Sequence, residues 1–181
     1  MARRDVLSRD HVQPDASTNL ALWLDRYTWA FDQETARAHL GVSLDRVRVP
    51  EGYARAFEAR KRGLLALSGG YEGGETRLYT VTLAGRAVLG IGAASVRETN
   101  LSLLRPWGVP YLAGSAFKGL ASHAVHAAGT DWARPAQPGE EAGILQRALF
   151  GDVTSAGAVV FHDAWWIPLD DRPPVELDTM T

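Results

Sequence analysis

The chain has 181 residues, of which 46% are hydrophobic and 22% are charged, and its formal net charge is −2. This composition is typical of an ordinary globular protein with one sizeable core, and the negative charge argues against a free-standing, promiscuous nucleic-acid binder. The absence of cysteine excludes disulfides and thiolate metal sites and favours a cytoplasmic location; we expect no cofactor. No apolar run reaches the roughly 18 residues that a membrane span needs, so no membrane partner is expected.

Charge is distributed unevenly along the chain. Residues 1–105 contain 15 Lys and Arg against 12 Asp and Glu, whereas residues 106–181 contain 4 against 9. Of the 19 basic residues, 17 are arginine. Arginine suits forked contacts with phosphate groups, but a GC-rich coding sequence produces the same bias. Both explanations remain open at this point.

Helical periodicity dominates the first third of the chain. Apolar residues at helical spacing predict one helix from Ser17 that ends before Asp32, and another over Glu51–Leu67. A glycine-rich joint follows the second helix. We therefore divide the chain into an N-terminal helical extension over residues 1–70 and a second domain over residues 71–181.

Beyond the joint the apolar period changes to two. Odd-numbered apolar residues from Tyr79 to Ile91 predict a long strand with a bend at Gly85, or else a tight hairpin. A further strand is predicted over residues 158–161, with Asp163 at its end. Helices are expected between these strands, so the order of elements indicates an α+β fold with an open sheet and helices on one face.

The most informative stretch runs from Gly108 to Gly119 and predicts a loop that opens directly into a helix over Ser115–Ala128. Ser115 suits an N-cap, and Lys118 would then lie in the first turn. Glycines at a helix start leave main-chain N–H groups available to an anion, and a nearby lysine would neutralise it. A plain capped helix start is the alternative explanation of the same residues.

Three motifs occur in order along the second domain: Leu89-Gly90-Ile91-Gly92 with Glu98, Gly108-Val109-Pro110-Tyr111 with Gly114-Ser115-x-x-Lys118-Gly119, and Phe150-Gly151 with Ala156–Phe161 and Asp163-Ala164. This pattern resembles the RAMP superfamily, the RNA-binding subunits of CRISPR effector complexes. Within that superfamily it is most similar to the sixth-named RAMP subunit of the type III-B Cmr module.

The resemblance implies a ferredoxin-like (RRM-like) RAMP fold with an N-terminal helical extension. Family members continue beyond the region that resembles Val175–Met180, so the domain over residues 71–181 is expected to be incomplete at its C-terminus. The implied function is a non-catalytic RNA-binding subunit of a type III-B effector in antiviral defence, which holds guide RNA near its 3′ end. The implied partners are CRISPR guide RNA, complementary target RNA and other RAMP subunits.

The resemblance also implies which residues contact RNA. Four residues occupy the positions of the family's glycine-rich loop, and two arginines are weaker candidates for phosphate contacts: Gly114, Ser115, Lys118 and Gly119, then Arg97 and Arg105. The family often has proline before the Gly-Ser pair, where this chain has Ala113. An arginine commonly follows the Lys-Gly pair, and this chain has Ser122-His123 in that region.

Two other functions fit some of the same residues. His123 and His126 lie three residues apart on one predicted helix, a spacing that suits joint acid–base work in a metal-independent RAMP-type endoribonuclease. Alternatively, the chain is a purely structural partner in which Lys118 pairs with an acidic residue of a neighbouring subunit. No metal site is expected, because the histidine pair has no evident third ligand.

Overall fold

A computed structural model describes residues 13–27, 40–69, 74–85, 101–135, 137, 140–168 and 173–175. The chain divides into two compact units. The first unit consists of residues 1–110 and 165–181, and the second of residues 111–164. The division at residue 70 between a helical extension and a RAMP domain stays a prediction.

Helix α1 spans Leu20–Arg26 and begins where a side chain satisfies its free main-chain donors. The Oδ1 atom of Asn19 accepts a hydrogen bond from the N–H group of Leu22 at 3.0 Å, which is an N-cap contact. The predicted start at Ser17 is wrong by three residues, because Ser17 instead donates its N–H and hydroxyl to the carboxylate of Asp15.

The core of the first unit forms around this helix. Leu20 and Trp23 of α1 pack with Leu44 and Val47, and all four are at most 5% exposed. Residues 40–44 are themselves helical. Partly buried apolar residues surround this cluster: Leu24, Tyr27, Leu40, Leu103 and Val175.

Helix α2 spans Tyr53–Ala66, which confirms the prediction over Glu51–Leu67 to within two residues at either end. A 3₁₀-helix over Leu67–Gly69 continues it. Tyr53 is the residue of α2 that is fully buried, and burial raises the pKa of its phenol to about 12.

Aromatic rings surround Tyr53. The centroids of Trp107 and Trp165 lie 5.9 and 6.0 Å from its ring, and that of Trp166 lies 6.4 Å away. The Tyr53 hydroxyl donates a hydrogen bond to the main-chain carbonyl of Trp166. The adjacent tryptophans therefore pack against a buried tyrosine, and Arg60 places its guanidinium 4.8 Å from the ring centroid of Trp165.

The sheet is small. Strands β1 (Leu103–Leu104), β2 (Val109–Leu112) and β3 (Ala164–Trp165) have the order β1-β2-β3. The strands β1 and β2 are antiparallel, with Leu103 opposite Pro110 and Leu104 opposite Val109. Their turn ends at Gly108, whose φ of +66° favours glycine and where a Cβ atom would lie 2.7 Å from the main-chain nitrogen of Leu20.

The predicted long strand over Tyr79–Ile91 is not found in its described part. Residues 79–85 have no strand pairing and are exposed, with Tyr79 78% exposed and Leu83 57% exposed. Residues 86–91 lie outside the described ranges. In contrast, β2 occupies part of the stretch that was predicted to be a loop.

The second unit contains helix α3 over Gly114–His126, a 3₁₀-helix over Thr130–Trp132 and helix α4 over Ile144–Phe150. A buried hydrogen bond joins the two α-helices, because Nε2 of Gln146 donates to the hydroxyl of Ser122. Helix α4 ends at Phe150, and Gly151 follows it as the C-cap.

The predicted strand over residues 158–161 is wrong. The N–H groups of Ala158 and Val159 donate to the carbonyls of Ala148 and Leu149, at 2.9 and 3.2 Å. These carbonyls belong to the last turn of α4 and have no partner within the helix. The segment therefore satisfies the end of a helix instead of joining the sheet, and strand pairing begins only at β3.

Helices with a small antiparallel sheet confirm the α+β class and are consistent with a RAMP fold. The ferredoxin-like topology and the N-terminal extension stay predictions. Within the described ranges, no helix is long and apolar enough to cross a membrane.

Candidate nucleic-acid interface

Helix α3 carries the glycine-rich motif and begins one residue earlier than predicted. Its N-cap is Ala113, which has an extended main chain and no side-chain acceptor. The predicted N-cap role of Ser115 is therefore wrong, because Ser115 is the second residue of the helix. Lys118 is accordingly the fifth helical residue and lies in the second turn rather than the first.

An acidic side chain from a distant part of the second unit caps this helix. The Oδ1 atom of Asp163 accepts a hydrogen bond from the N–H group of Gly114 at 2.8 Å. A carboxylate at this end of a helix also interacts favourably with the helix dipole. The sequence suggested only that Asp163 ends a strand, and the 49-residue separation of the two partners explains why no local pattern showed the contact.

Gly114 is required by the packing of the protein itself. A Cβ atom at this position would lie 2.0 Å from the main-chain oxygen of Phe161 and 3.0 Å from the carbonyl carbon of His162. The start of α3 thus lies directly against the main chain that leads to Asp163. A contact between Gly114 and RNA stays a prediction.

The other motif residues face outward from α3. Ser115, Lys118 and Gly119 are all exposed and lie at i, i+3 and i+4 on one side of the helix, which we call the Lys118 face. A Cβ atom at Gly119 would meet no other atom within 4 Å. Within the described part of the chain, Lys118 has no ion-pair partner. This face therefore carries the ammonium group of Lys118, which is available to an anion. Next to it, at Gly119, no side chain covers the main chain.

The two candidate arginines lie elsewhere. Arg105 belongs to the first unit, in the turn between β1 and β2, and its Nη2 atom lies 3.1 Å from Oδ2 of Asp25. Its side chain is 80% exposed, and an exposed ion pair contributes only about 0–1 kcal/mol, so phosphate can compete with Asp25 for this guanidinium. Arg97 lies outside the described residues.

The histidines of α3 have different surroundings. Both are exposed, but His126 accepts a hydrogen bond at Nδ1 from the N–H group of Arg134 at 3.0 Å. Ser122, on the same helix, is buried against α4. Among the described residues, no group of three His, Asp or Glu side chains could hold a metal ion. Catalysis by either histidine stays a prediction.

Comparison with known proteins supports the resemblance to the RAMP superfamily. Residues 69–179 match the sequence model of the RAMP superfamily, which is more than half of the chain, and the protein therefore belongs to this superfamily. The chain is also similar to the CRISPR system Cmr subunit Cmr6 of Pyrococcus furiosus, with 51% identity over 41 residues. That match covers 23% of this chain and 12% of the relative, so the similarity to this particular subunit rests on a short segment.

Proposed function

We propose that the chain is a non-catalytic RNA-binding subunit of a type III-B CRISPR effector complex that acts in antiviral defence in the cytoplasm. Its proposed role is to hold guide RNA near the 3′ end beside complementary target RNA and other RAMP subunits. Membership of the RAMP superfamily and the similarity to a Cmr subunit support this proposal.

The Lys118 face is the observation that carries the proposed RNA contact. Its lysine is exposed and, within the described residues, unpaired, so it can neutralise a phosphate without first breaking an ion pair. The next residue is glycine, with open space where a side chain would stand, so no side chain at that position obstructs a phosphate on Lys118. Such contacts bind the RNA backbone and do not select a base sequence.

The charge distribution indicates where this contact operates. Residues 106–181, the segment that contains Lys118, carry 4 basic and 9 acidic side chains. The net negative charge of this segment repels a polyanion such as RNA. A single lysine in such a region is a weak RNA binder by itself. We therefore expect Lys118 to contribute one phosphate contact among several that neighbouring subunits supply.

The two lysines of the chain provide a matched test of this contact. Lys118→Ala should weaken binding of single-stranded RNA by roughly fivefold, as expected for one exposed charge contact. It should also lower the slope of log affinity against log salt by about 0.7. Lys61→Ala is the control, because Lys61 is half exposed on α2 and lies 4.0 Å from Glu58.

The measurement is fluorescence anisotropy of a labelled RNA titrated with the tagged effector complex at several salt concentrations. Equal slopes for the two variants would remove Lys118 from the interface. The composition of the complex tests the wider proposal: the tagged chain should co-purify with other RAMP subunits and with short RNAs of defined ends. A chain recovered without RNA and without partners would contradict it.

A further inference from the structure

Several arginines that the structure describes already have a partner inside the protein. Four of them bond to a carboxylate or to a main-chain carbonyl, namely Arg48, Arg77, Arg105 and Arg147. A fifth, Arg60, lies over the ring of Trp165. In contrast, Arg55 and Arg62 have no ion pair or side-chain hydrogen bond with any described residue. Within the described ranges, these two guanidinium groups are therefore available to an external anion.

Arg55 and Arg62 lie on one exposed side of helix α2. Residues at i, i+4, i+7 and i+11 share one side of a helix, and the four such residues here are all exposed: Arg55, Ala59, Arg62 and Ala66. We call these four residues the α2 stripe. The opposite side of the helix carries Tyr53, which is buried among the tryptophan rings. The α2 stripe thus faces away from the packed side of the helix.

The charge of α2 is not explained by the stability of the helix. Tyr53–Ala66 contains four basic residues and one acidic residue, Glu58, whose carboxylate lies 4.0 Å from Nζ of Lys61. Arg55 is the third residue of the helix, in the first turn, where a cation interacts unfavourably with the helix dipole. The last turn, where a cation would be favourable, has no basic residue. The position of Arg55 therefore indicates a role outside the helix.

We propose that the α2 stripe is a second contact with the RNA backbone, in which Arg55 and Arg62 each bind a phosphate group. Arginine suits this ligand because its planar guanidinium donates two parallel hydrogen bonds to phosphate oxygens. The seven-residue spacing corresponds to about 10 Å along the helix axis. A stacked nucleic-acid strand carries a phosphate about every 3.4 Å, so the two arginines can reach phosphates about three nucleotides apart.

The composition of the α2 stripe favours RNA over a protein as its occupant. Protein interfaces usually have apolar or aromatic side chains at their core, and the stripe has only two alanines between and beside its arginines. Phosphate groups, in contrast, require only the two cations. This inference rests on the proposed function, because it adds two phosphate contacts in the first unit to the one expected at Lys118 in the second.

Removal of the two arginines tests the proposed contacts directly. Arg55→Ala and Arg62→Ala should each weaken binding of single-stranded RNA by roughly fivefold. Each should also lower the slope of log affinity against log salt by about 0.7, and the double variant should lower it by about 1.4. Lys61→Ala is the control on the same helix, because Lys61 lies next to Glu58 and outside the stripe; it should leave the slope unchanged.

A charge added to the middle of the stripe provides a second test. Ala59→Glu places a carboxylate four residues after Arg55 and three before Arg62, within reach of both guanidinium groups. It should weaken RNA binding by roughly tenfold. Ala59→Gln adds a side chain of the same length without the charge and should bind RNA like the unaltered chain. Equal weakening by Glu and Gln would mean a steric effect and would overturn the charge contact.

The experiment measures fluorescence anisotropy of a labelled RNA with the effector complex carrying each variant, at several salt concentrations. A thermal melt and native mass spectrometry of each complex accompany it. The arginine variants should keep every subunit and should melt no lower than the unaltered complex, because alanine favours a helix and Arg55 opposes its dipole. An unchanged salt slope would overturn the inference. Loss of a subunit from these complexes would mean that the stripe binds protein and would overturn it as well.

The same titrations distinguish this inference from the contact at Lys118. If the arginine variants lower the slope and Lys118→Ala does not, the Lys118 face is wrong and the α2 stripe stands. If Lys118→Ala lowers the slope and the arginine variants do not, only the α2 stripe is wrong. If none of them changes the slope, the proposed RNA contacts of this chain are wrong at both places.

Discussion

The two units pack through different atoms. In the first unit the large buried groups are side chains, and Leu20, Trp23 and Tyr53 are each at most 2% exposed. In the second unit the tightest approaches are between main-chain atoms at glycines. A Cβ atom would lie 2.0 Å from a carbonyl oxygen at Gly114 and 2.3 Å from one at Gly157. Removal of side-chain atoms from the α1 core should therefore be the most damaging change in the first unit, whereas addition of a single methyl group at Gly114 or Gly157 should be damaging in the second.

Trp23→Ala tests this contrast most severely in the first unit. The ring is 2% exposed in the core cluster, so its removal should lower the free energy of unfolding by about 4 kcal/mol. Leu22→Ala on the same helix is the control; Leu22 is 53% exposed, and we expect a loss below about 1 kcal/mol. Urea unfolding followed by circular dichroism gives both values, and similar losses would show that the α1 core is not where stability resides.

Gly114→Ala is the corresponding test in the second unit. The added methyl group has no space beside Phe161, and we expect a loss of roughly 3 kcal/mol in the free energy of unfolding. Gly119→Ala places the same group on the same helix in open space and should stabilise the protein by about 0.5–1 kcal/mol. The same unfolding experiment should thus give opposite signs, and a mild Gly114→Ala would contradict the main-chain packing of the second unit.

Tyr53→Phe has the smallest expected effect. It leaves the carbonyl of Trp166 without its donor at a partly buried position, at a cost of about 1–1.5 kcal/mol near neutral pH. Because the pKa of Tyr53 is raised to about 12 in the folded protein, its contribution is complete below pH 10 and is lost as pH rises from 10 to 12.

The pH dependence sharpens that test. The Phe variant should lose less stability than the unaltered chain between pH 10 and 12. The control is Tyr79→Phe, at a tyrosine that is 78% exposed, which should change the free energy of unfolding near neutral pH by no more than about 0.5 kcal/mol. Identical alkaline profiles for the Tyr53 variant and the unaltered chain would show that the buried phenol is not the group responsible.

The sequence predicted the two longest described helices well, because helices depend on neighbours three and four residues apart. The observed Tyr53–Ala66 and Gly114–His126 differ from their predictions by at most two residues at each end. The stop at Phe150-Gly151 was also predictable, because Gly151 has a φ of +72°, which glycine adopts easily.

The strands were less predictable, because their partners are distant in sequence. The apolar run 158–161 has the composition of a strand, yet its first N–H groups bond to the end of α4. Alternation over Tyr79–Leu83 also suggested a strand, but the described residues there have no pairing. Composition indicates that a segment is extended and apolar; which carbonyls it meets depends on tertiary structure.

The candidate site shows the same limit. Lys118 was identifiable from the sequence as a rare lysine within a glycine-rich motif, and the structure places it on an exposed face. The two acidic partners were not identifiable. Asp163 caps α3 from 49 residues away, and Asp25 pairs with Arg105 from 80 residues away. Because the sequence predicted Ser115 as the N-cap, it gave no sign that Ala113 would hold that position and that a distant acceptor would be needed.

The open space at Gly119 has a practical consequence for spectroscopy. The chain contains no cysteine, so one introduced thiol would be its single site for maleimide labelling. A cysteine at position 119 would carry a dye next to Lys118, on a face where the structure leaves room for it. The arrival of RNA at that helix could then be followed in real time within an assembled particle, through a reporter that touches none of the packed glycines.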